Sequence, residues 1–342
     1  MTPSPRCAAC SADNAAVLAV LTITFPFFAL VACGYLAARL QLLALSAIPG
    51  LNSFVLFFAL PCMLFRFGAS APLSQLLAPQ VALVYLAGAL LTVALCLLLT
   101  RRGHTGWNDA AFGALVAAFP NTGFMGVPLL VALLGPSAAT PVIVSLVVDM
   151  VITSSLCIAL SRLDSHSGAG QPGALQAAAK ALRGVAANPL PWAIVAGACV
   201  SGLHLDLPQP LGKTIGLLAD AASPVALFTI GAVLARSQIL SATDVAHAVP
   251  WQAYLPVAAL KLFVHPVLVW AVGSVAIASG VALDTFALKV LVLLAALPSA
   301  SNVVLLSERY GADSGRIARI IMASTAAAFL TFSGAVALMS GR

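Results

Sequence analysis

Charge is what this chain has least of. Only 8% of its 342 residues are Asp, Glu, Lys or Arg, while 61% are hydrophobic. A soluble domain carries roughly 25% charged residues. So few charges cannot cover a water-facing surface, which excludes a soluble protein. The apolar runs are about 20 residues or longer rather than alternating strands of about ten, which excludes a membrane barrel. A polytopic helical membrane protein remains, with the lipid bilayer as its first partner. Catalytic constellations are missing too. There is no H-E-x-x-H, no G-x-S-x-G, no Walker A loop and no cluster of His, Cys and carboxylates. The chain therefore reads as no enzyme, with no cofactor and no metal site, and without a nucleotide site it is no primary pump by itself. The net charge of +6 is spread over short loops with no basic stripe of interleaved aromatics. That excludes a nucleic-acid partner and leaves a topological signal.

Seven cysteines are present. Cys33, Cys62, Cys96, Cys157 and Cys199 lie within apolar runs, where a thiol acts as a small hydrophobe. Cys7 and Cys10 form a lone C-x-x-C, and a zinc or redox site needs a second pair or a surrounding fold. The first apolar run continues too long for a cleavable signal peptide and ends in Arg39.

Hydropathy predicts ten spans, at about 16–38, 45–67, 81–99, 110–135, 140–160, 190–205, 215–234, 249–279, 286–306 and 317–339. The eighth is long enough to contain a surface turn. The longest loop, 164–188, opens Ser/Gly-rich and then places Leu175, Ala179, Leu182 and Ala186 on one helical face, with Gln176, Lys180 and Arg183 on the other. It reads as a short basic helix on the membrane surface, or as a plain linker. Loops after odd-numbered spans carry Arg39, Arg101, Arg102, Arg162, Lys180, Arg183, Arg236, Arg309, Arg316 and Arg319. The other side carries Arg6, Arg66, Lys213, Lys289 and Arg342. The first side is then cytoplasmic and both termini are periplasmic.

The long loop divides the spans five and five, so the second half starts from the opposite side of the membrane. This predicts a first five-helix repeat over 16–162, a cytoplasmic linker with a short amphipathic helix over 163–188, and a second, inverted five-helix repeat over 189–341. The stretch FALPCMLF at 58–65 resembles ASPVALF at 222–228, and AAFPN at 117–121 resembles AALPS at 295–299. The proline interruptions therefore occupy matching places in the two halves.

The fourth span carries the strongest signal. Its middle reads Phe119-Pro120-Asn121-Thr122-Gly123-Phe124-Met125-Gly126-Val127-Pro128. Proline removes a donor and clashes with the preceding turn, and glycine loosens what remains. Two half-helices with unwound backbone between them are expected. Such backbone is tolerated at membrane depth only inside protein or beside a water-filled cavity, and broken helices of this kind build binding sites in secondary transporters. The ninth span has a second break at Pro298-Ser299-Ala300-Ser301-Asn302. If the two spans cross at their breaks, Pro120, Asn121, Thr122, Gly123 and Gly126 face Pro298, Ser299, Ser301 and Asn302. Two half-helix N-termini then offer N–H groups to a small anion, and asparagine donates without adding charge. Asn52 and Pro61 in the second span line the same cavity, although Asn52 reads equally as an inter-helix hydrogen bond.

Ionisable groups inside the bilayer are costly and usually functional. Asp149, Asp220, Lys261 and His265 qualify, with Lys261 and His265 one turn apart. Lys261 is a counter-charge for a carboxylate, or the partner of Asp149 or Asp220 in a buried structural pair. His265 reads equally as a satisfied packing residue. Asn108-Asp109, Asp284-Thr285 and Asp313-Ser314 stand where helices begin and read as N-caps. Glu308, Arg309 and Tyr310 read as an interfacial anchor.

The run from Pro120 to Pro128 resembles the fourth-helix signature N-x-G-x-x-G-x-P of the auxin efflux carrier family. Looser likeness extends to Asn52 with Ala59-Leu60-Pro61, to Lys261 with His265-Pro266, and to Leu297-Pro298-Ser299. The resemblance implies ten transmembrane helices as two inverted five-helix repeats, a scaffold part and a transport part, crossing fourth and ninth helices, and elevator-like motion. Plant members export auxin, and bacterial members are mostly described as malonate or malate permeases. The expectation is a permease for small organic anions such as malonate or malate in a bacterial cytoplasmic (inner) membrane. Coupling to protons or sodium falls to Asp149, Asp220 or Lys261, and a homodimer is compatible. The alternative is an anion channel or sensor on the same fold.

Overall fold

The computed structural model describes residues 22, 25–70, 78–101, 105–163, 183, 189–243 and 249–340. These residues form helices, and none of them forms a strand. In chain order the segments are α1 (Phe25–Arg39), α2 (Ile48–Ser70), α3 (Pro79–Arg101), α4 (Trp107–Ala118), α5 (Thr122–Leu134) and α6 (Pro136–Leu160). Then come α7 (Pro189–Gly202), α8 (Gln209–Thr243), α9 (Trp251–Ala278), α10 (Thr285–Ala295), α11 (Val303–Tyr310) and α12 (Ser314–Ser340). Six helices among the described residues, α2, α3, α6, α8, α9 and α12, contain stretches long and apolar enough to cross a membrane. The remaining apolar helices are shorter, and two of them, α5 and α10, are halves of interrupted spans. Cys7, Cys10, the start of the first predicted span and the predicted surface helix in the 164–188 loop, Arg183 apart, lie outside the described residues.

Proline is accommodated in a repeated way. The backbone widens to π geometry at Val55–Ala59, Thr122–Gly126 and Leu260–Val264, and a proline follows each time: Pro61, Pro128 and Pro266. Leu60, Val127 and His265 donate N–H five residues back, to Val55, Thr122 and Leu260. The wider turn relieves the ring clash just where the missing N–H would have broken the ladder. This corrects two expectations. The eighth span has no surface turn, because Pro256 and Pro266 both fit within α9. The fourth span is extended only from Phe119 to Asn121, since Pro128 sits in the first turn of a new α-helical stretch.

Side-chain ties sort the helices into two groups. In one, Tyr35 of α1 donates to Gln238 of α8 at 2.5 Å, and Arg66 of α2 pairs with Asp220 of α8 at 2.7 Å. In the other, hydrogen bonds link α3 to α6, α9 to α10, α4 and α6 to the end of α11, and α12 to α4 and α9. Gln238 Nε2 reaches Met322 of α12 across the two groups at 2.7 Å.

Glycine lets the first group close. A Cβ at Gly34 of α1 would lie 1.8 Å from Phe228 O, and one at Gly231 of α8 would lie 1.8 Å from Val31 O. Gly68 of α2 and Gly197 of α7 abut in the same manner, against Ile194 O and Phe65 O. Without a hydrophobic drive between helices in lipid, such close backbone approach is what associates them. We expect Gly231→Leu to lower the melting temperature in detergent by the equivalent of at least about 1–3 kcal/mol. Gly50 has open space around it, so Gly50→Ala should be neutral or slightly stabilising. Equal melting of the two variants would contradict the close approach.

Candidate functional site: the crossing of two interrupted helices

The two breaks lie against one another. Asn121 N donates to Pro298 O at 2.8 Å and Ala300 N donates to Phe119 O at 3.0 Å, which pairs Pro120 with Ser299 in an antiparallel bridge. The bonds flank that pair, so Pro120 occupies the position where no N–H is required. Ser299 N finds its acceptor elsewhere, on Ser324 Oγ of α12 at 3.2 Å. Backbone that would be orphaned in an apolar surrounding is thus satisfied from three helices.

Each helix end at the crossing has a partner or a free group. After the break, Thr122 N and Oγ1 both reach Pro120 O, at 2.7 and 3.2 Å, and the first i→i−4 bond of α5 runs from Met125 to Asn121. The N–H groups of Gly123 and Phe124 precede that bond and point out of the N-terminal end. The second half-helix, α11, starts at Val303 beside Asn302, whose side chain makes no cap. On the opposite side α10 ends at Ala295, and Lys261 Nζ donates to Ala295 O at 3.0 Å. A cation on the last carbonyls suits the negative end of a helix.

Two buried polar atoms at the bridge have no partner in the protein, Asn121 Oδ1 and Ser299 Oγ. Their residues are 3% and 0% exposed. Gly123, Ser301 and Asn302 are partly exposed beside them. Gly126 stands apart from this arrangement, because a Cβ there would meet Leu294 and Leu297 side chains at 2.9 and 3.2 Å. It lets α5 pack closely on the end of α10. Pro120 and Pro298 are buried in the bridge, and Thr122 spends its hydroxyl on Pro120 O. Asn52 and Pro61 are half-buried in α2.

A second polar cluster lies in the same helix group. Tyr85 of α3 donates to Asp149 Oδ2 at 2.6 Å and Thr153 donates to Asp149 Oδ1 at 3.2 Å. Ser154 Oγ reaches Asp149 O at 2.8 Å, where α6 is itself widened to π geometry over Asp149–Thr153. Across from them Lys261 Nζ and His265 Nδ1 share a hydrogen bond of 2.9 Å, and the Tyr85 and His265 ring centroids lie 6.3 Å apart. Tyr85, Asp149, Lys261 and His265 are all fully buried. Among the described residues no hydrogen bond or ion pair joins Asp149 directly to Lys261. Asp149, Lys261 and His265 are thus brought together as a set, and the Lys261–Asp149 pair is a separated one. Asp220 is not with them. It pairs with Arg66 of α2, the two side chains 70% and 45% exposed.

Sequence reasoning missed Tyr85, Thr153, Ser324 and Arg316. Tyr85 had a legible signal, a tyrosine in mid-span rather than at an interface, where its hydroxyl needs a partner. Arg316 read as a loop cation but is 7% exposed, with Nε on Ala253 O at 2.8 Å and a terminal nitrogen on Asp109 O at 3.0 Å. Asn108 caps no N-terminus; it donates to Tyr310 O and Gly311 O at 3.2 and 2.9 Å, closing the end of α11. Tyr310 is buried beneath Arg162 rather than anchoring at an interface. Asp284 and Asp313 do cap, accepting from Phe286 N and Arg316 N.

Comparison with known proteins gives a consistent picture. A family model described as "Membrane transport protein" matches residues 19–336. The chain is 30% identical over 321 residues to a "Putative malonate transporter" of Rhizobium meliloti (strain 1021), covering 93% of this chain and 95% of that one. It is 27% identical over 290 residues to "Uncharacterized transporter YfdV" of Escherichia coli (strain K12), covering 83% and 86%. It is 24% identical over 272 residues to "Auxin efflux carrier component 8" of Arabidopsis thaliana, covering 65% and 74%.

The bridge geometry separates stability from binding. Ser324→Ala leaves Ser299 N–H without an acceptor and should cost about 1–3 kcal/mol, read as a lower melting temperature. Asn121→Ala removes a side-chain oxygen that has no protein partner and should leave melting within about 0.5 kcal/mol of the parent. A large loss for Asn121→Ala alone would show that its side chain holds the fold.

Proposed function

The chain belongs to the membrane transport protein family, and on that premise we propose that it is a secondary active permease for small carboxylates such as malonate or malate. It is an integral membrane protein and no enzyme, as its sequence led us to expect. The observation that carries the proposal is the pair of unpartnered buried groups, Asn121 and Ser299, at the bridge between the half-helices. A carboxylate accepts from the Ser299 hydroxyl and from the Asn121 amide, whose two ends exchange by a rotation of the side chain. The free N–H groups at the start of α5 add positive partial charge without a counter-ion. Ser301 and Asn302, partly exposed, form the approach.

Ten spans in two inverted five-helix repeats, 16–162 and 189–341 about a linker at 163–188, fit this reading. The interrupted spans are α4 with α5 and α10 with α11. The glycine seams support the symmetry. Gly34, Pro61 and Gly68 recur as Gly197, Pro224 and Gly231 at one constant separation along the chain. The seam of α1 on α8 is thereby the counterpart of the seam of α7 on α2. The two helix groups suit elevator-like alternating access, with α1, α2, α7 and α8 static and the crossing carried by the rest. The cation distribution supports an orientation with both termini periplasmic, in keeping with a bacterial inner membrane.

Malonate uptake into proteoliposomes tests the site. Asn121→Ala and Ser299→Ala should each lower uptake at least about tenfold, the equivalent of one lost hydrogen bond to a charged group, while inserting normally. Uptake at parental rates by both variants would reject the site. Saturable counterflow distinguishes a carrier from the channel or sensor alternative.

A further inference from the structure

The buried cluster around Asp149 does more than pack. An acid, a lysine and a histidine fully buried within one set of membrane helices are expensive, and such groups mark ion or proton pathways. Two features narrow the choice of ion. Both Asp149 oxygens already accept hydrogen bonds, from Tyr85 and Thr153. The cationic position opposite is filled by the Lys261 ammonium, anchored on Ala295 O and His265 Nδ1. A cation such as sodium would compete with the Tyr85 and Thr153 hydroxyls for the Asp149 oxygens and would bring a second positive charge into the cluster that holds the Lys261 ammonium. A proton needs only one oxygen and a neighbour able to reverse its hydrogen bond, which a tyrosine hydroxyl can do.

Resting on the carboxylate-permease reading above, we propose that Asp149 is the proton-loading site and that Lys261, freed when Asp149 is neutralised, becomes the counter-charge of the bound carboxylate. In the unloaded protein Asp149 and Lys261 balance each other across the cluster. A proton from the outer solution bonds to a carboxylate oxygen, and the Tyr85 hydroxyl turns from donor to acceptor. The cluster then carries one uncompensated positive charge. That charge sits on the ammonium bound to Ala295 O, three residues before Pro298 and the bridge. One arriving carboxylate restores neutrality. For a monoanion the loaded and empty forms therefore have equal charge. A dianion such as malonate turns its second carboxylate to the free N–H groups at the start of α5. In both cases a half-loaded form with the proton alone is disfavoured by its buried unpaired ion. Release of the anion and the proton on the far side returns the starting state.

The groups facing Asp149 are few. Tyr85 comes from α3, Cys157 from α6 itself with Cys96 of α3 beside it, and Lys261 and His265 from α9. The α4 and α12 helices bring Asp109 and Arg316 only in their first turns, where the two are tied to Asp313, Ala253 and each other's helix. His265 Nε2 has no partner and is the polar atom left over at the cluster.

The test is malonate transport by the full chain in liposomes clamped at zero potential, with an imposed proton or sodium gradient, beside counterflow without either. The parent should accumulate malonate about tenfold per unit of inward proton gradient, the limit for one proton per anion, and should not respond to sodium. Asp149→Asn should abolish that accumulation and render counterflow independent of pH. Asp220→Asn, at the surface pair with Arg66, should behave as the parent. Tyr85→Phe should accumulate with its pH midpoint displaced by about one unit, the scale of one hydrogen bond to a charged group. It carries the test if Asp149→Asn fails to fold. Proton-driven accumulation by Asp149→Asn, an unmoved midpoint in Tyr85→Phe, or sodium-driven uptake by the parent would each overturn the inference. Counterflow of malonate without proton-driven accumulation sinks this inference alone. No counterflow of malonate or malate sinks the carboxylate reading with it.

Discussion

An unpaired peptide group has nowhere to turn inside a bilayer, and that constraint governs the centre of this molecule. Prolines at 120 and 298 stop two helices in mid-span. The extended residues that result would leave donors and acceptors bare at a cost of several kcal/mol each. Each break supplies what the other lacks. Phe119 and Asn121 bond to Ala300 and Pro298, and Ser324 Oγ accepts from Ser299 N. Neither interruption is tenable alone, so the two halves of the chain depend on each other at their weakest points. The half-helix ends then converge as a geometric consequence, and Asn121 Oδ1 and Ser299 Oγ are left without a partner at the bridge.

Beyond the bridge the molecule holds together in two different manners. The α1, α2, α7 and α8 group is joined by bare backbone contact at Gly34, Gly231, Gly68 and Gly197, which tolerates no added atom. The other group is tied by hydrogen bonds and charges: Lys261 to Ala295, Arg316 to Ala253, Asn108 to Tyr310. Steric seams are rigid and directionless, whereas polar ties can be exchanged between partners. The first kind of contact fixes a distance between helices, and the second fixes a choice of partner.

Much of this was legible in the sequence, and the reasons differ by residue. Pro120, Asn121 and Pro298 announced themselves because breakers in an apolar run contradict the surrounding helix. Asp149, Lys261 and His265 stood out because ionisable groups are rare there. The sequence could not say which acid met which base. Asp149 and Asp220 look alike in their spans, and only the packing shows one fully buried and the other beside Arg66. Glycines were the least readable. Gly126 carries the same letter as Gly123, yet it makes room for Leu294, while a Cβ at Gly123 would meet only the Leu146 side chain at an ordinary contact distance of 4.0 Å. The π turns before Pro61, Pro128 and Pro266 were also hidden. A propensity argument predicts a broken helix at each, and the wider turn absorbs the defect instead.

The bridge between the halves is a single rung, and its register is keyed by an imino acid. Sliding one strand by one residue past the other would ask Pro120 for a donor it does not possess, and would turn Ser299 away from Ser324. The crossing therefore admits tilting about that rung but no slippage along it. Any tilt about that rung moves Asn121 and Ser299 together, as a fixed couple.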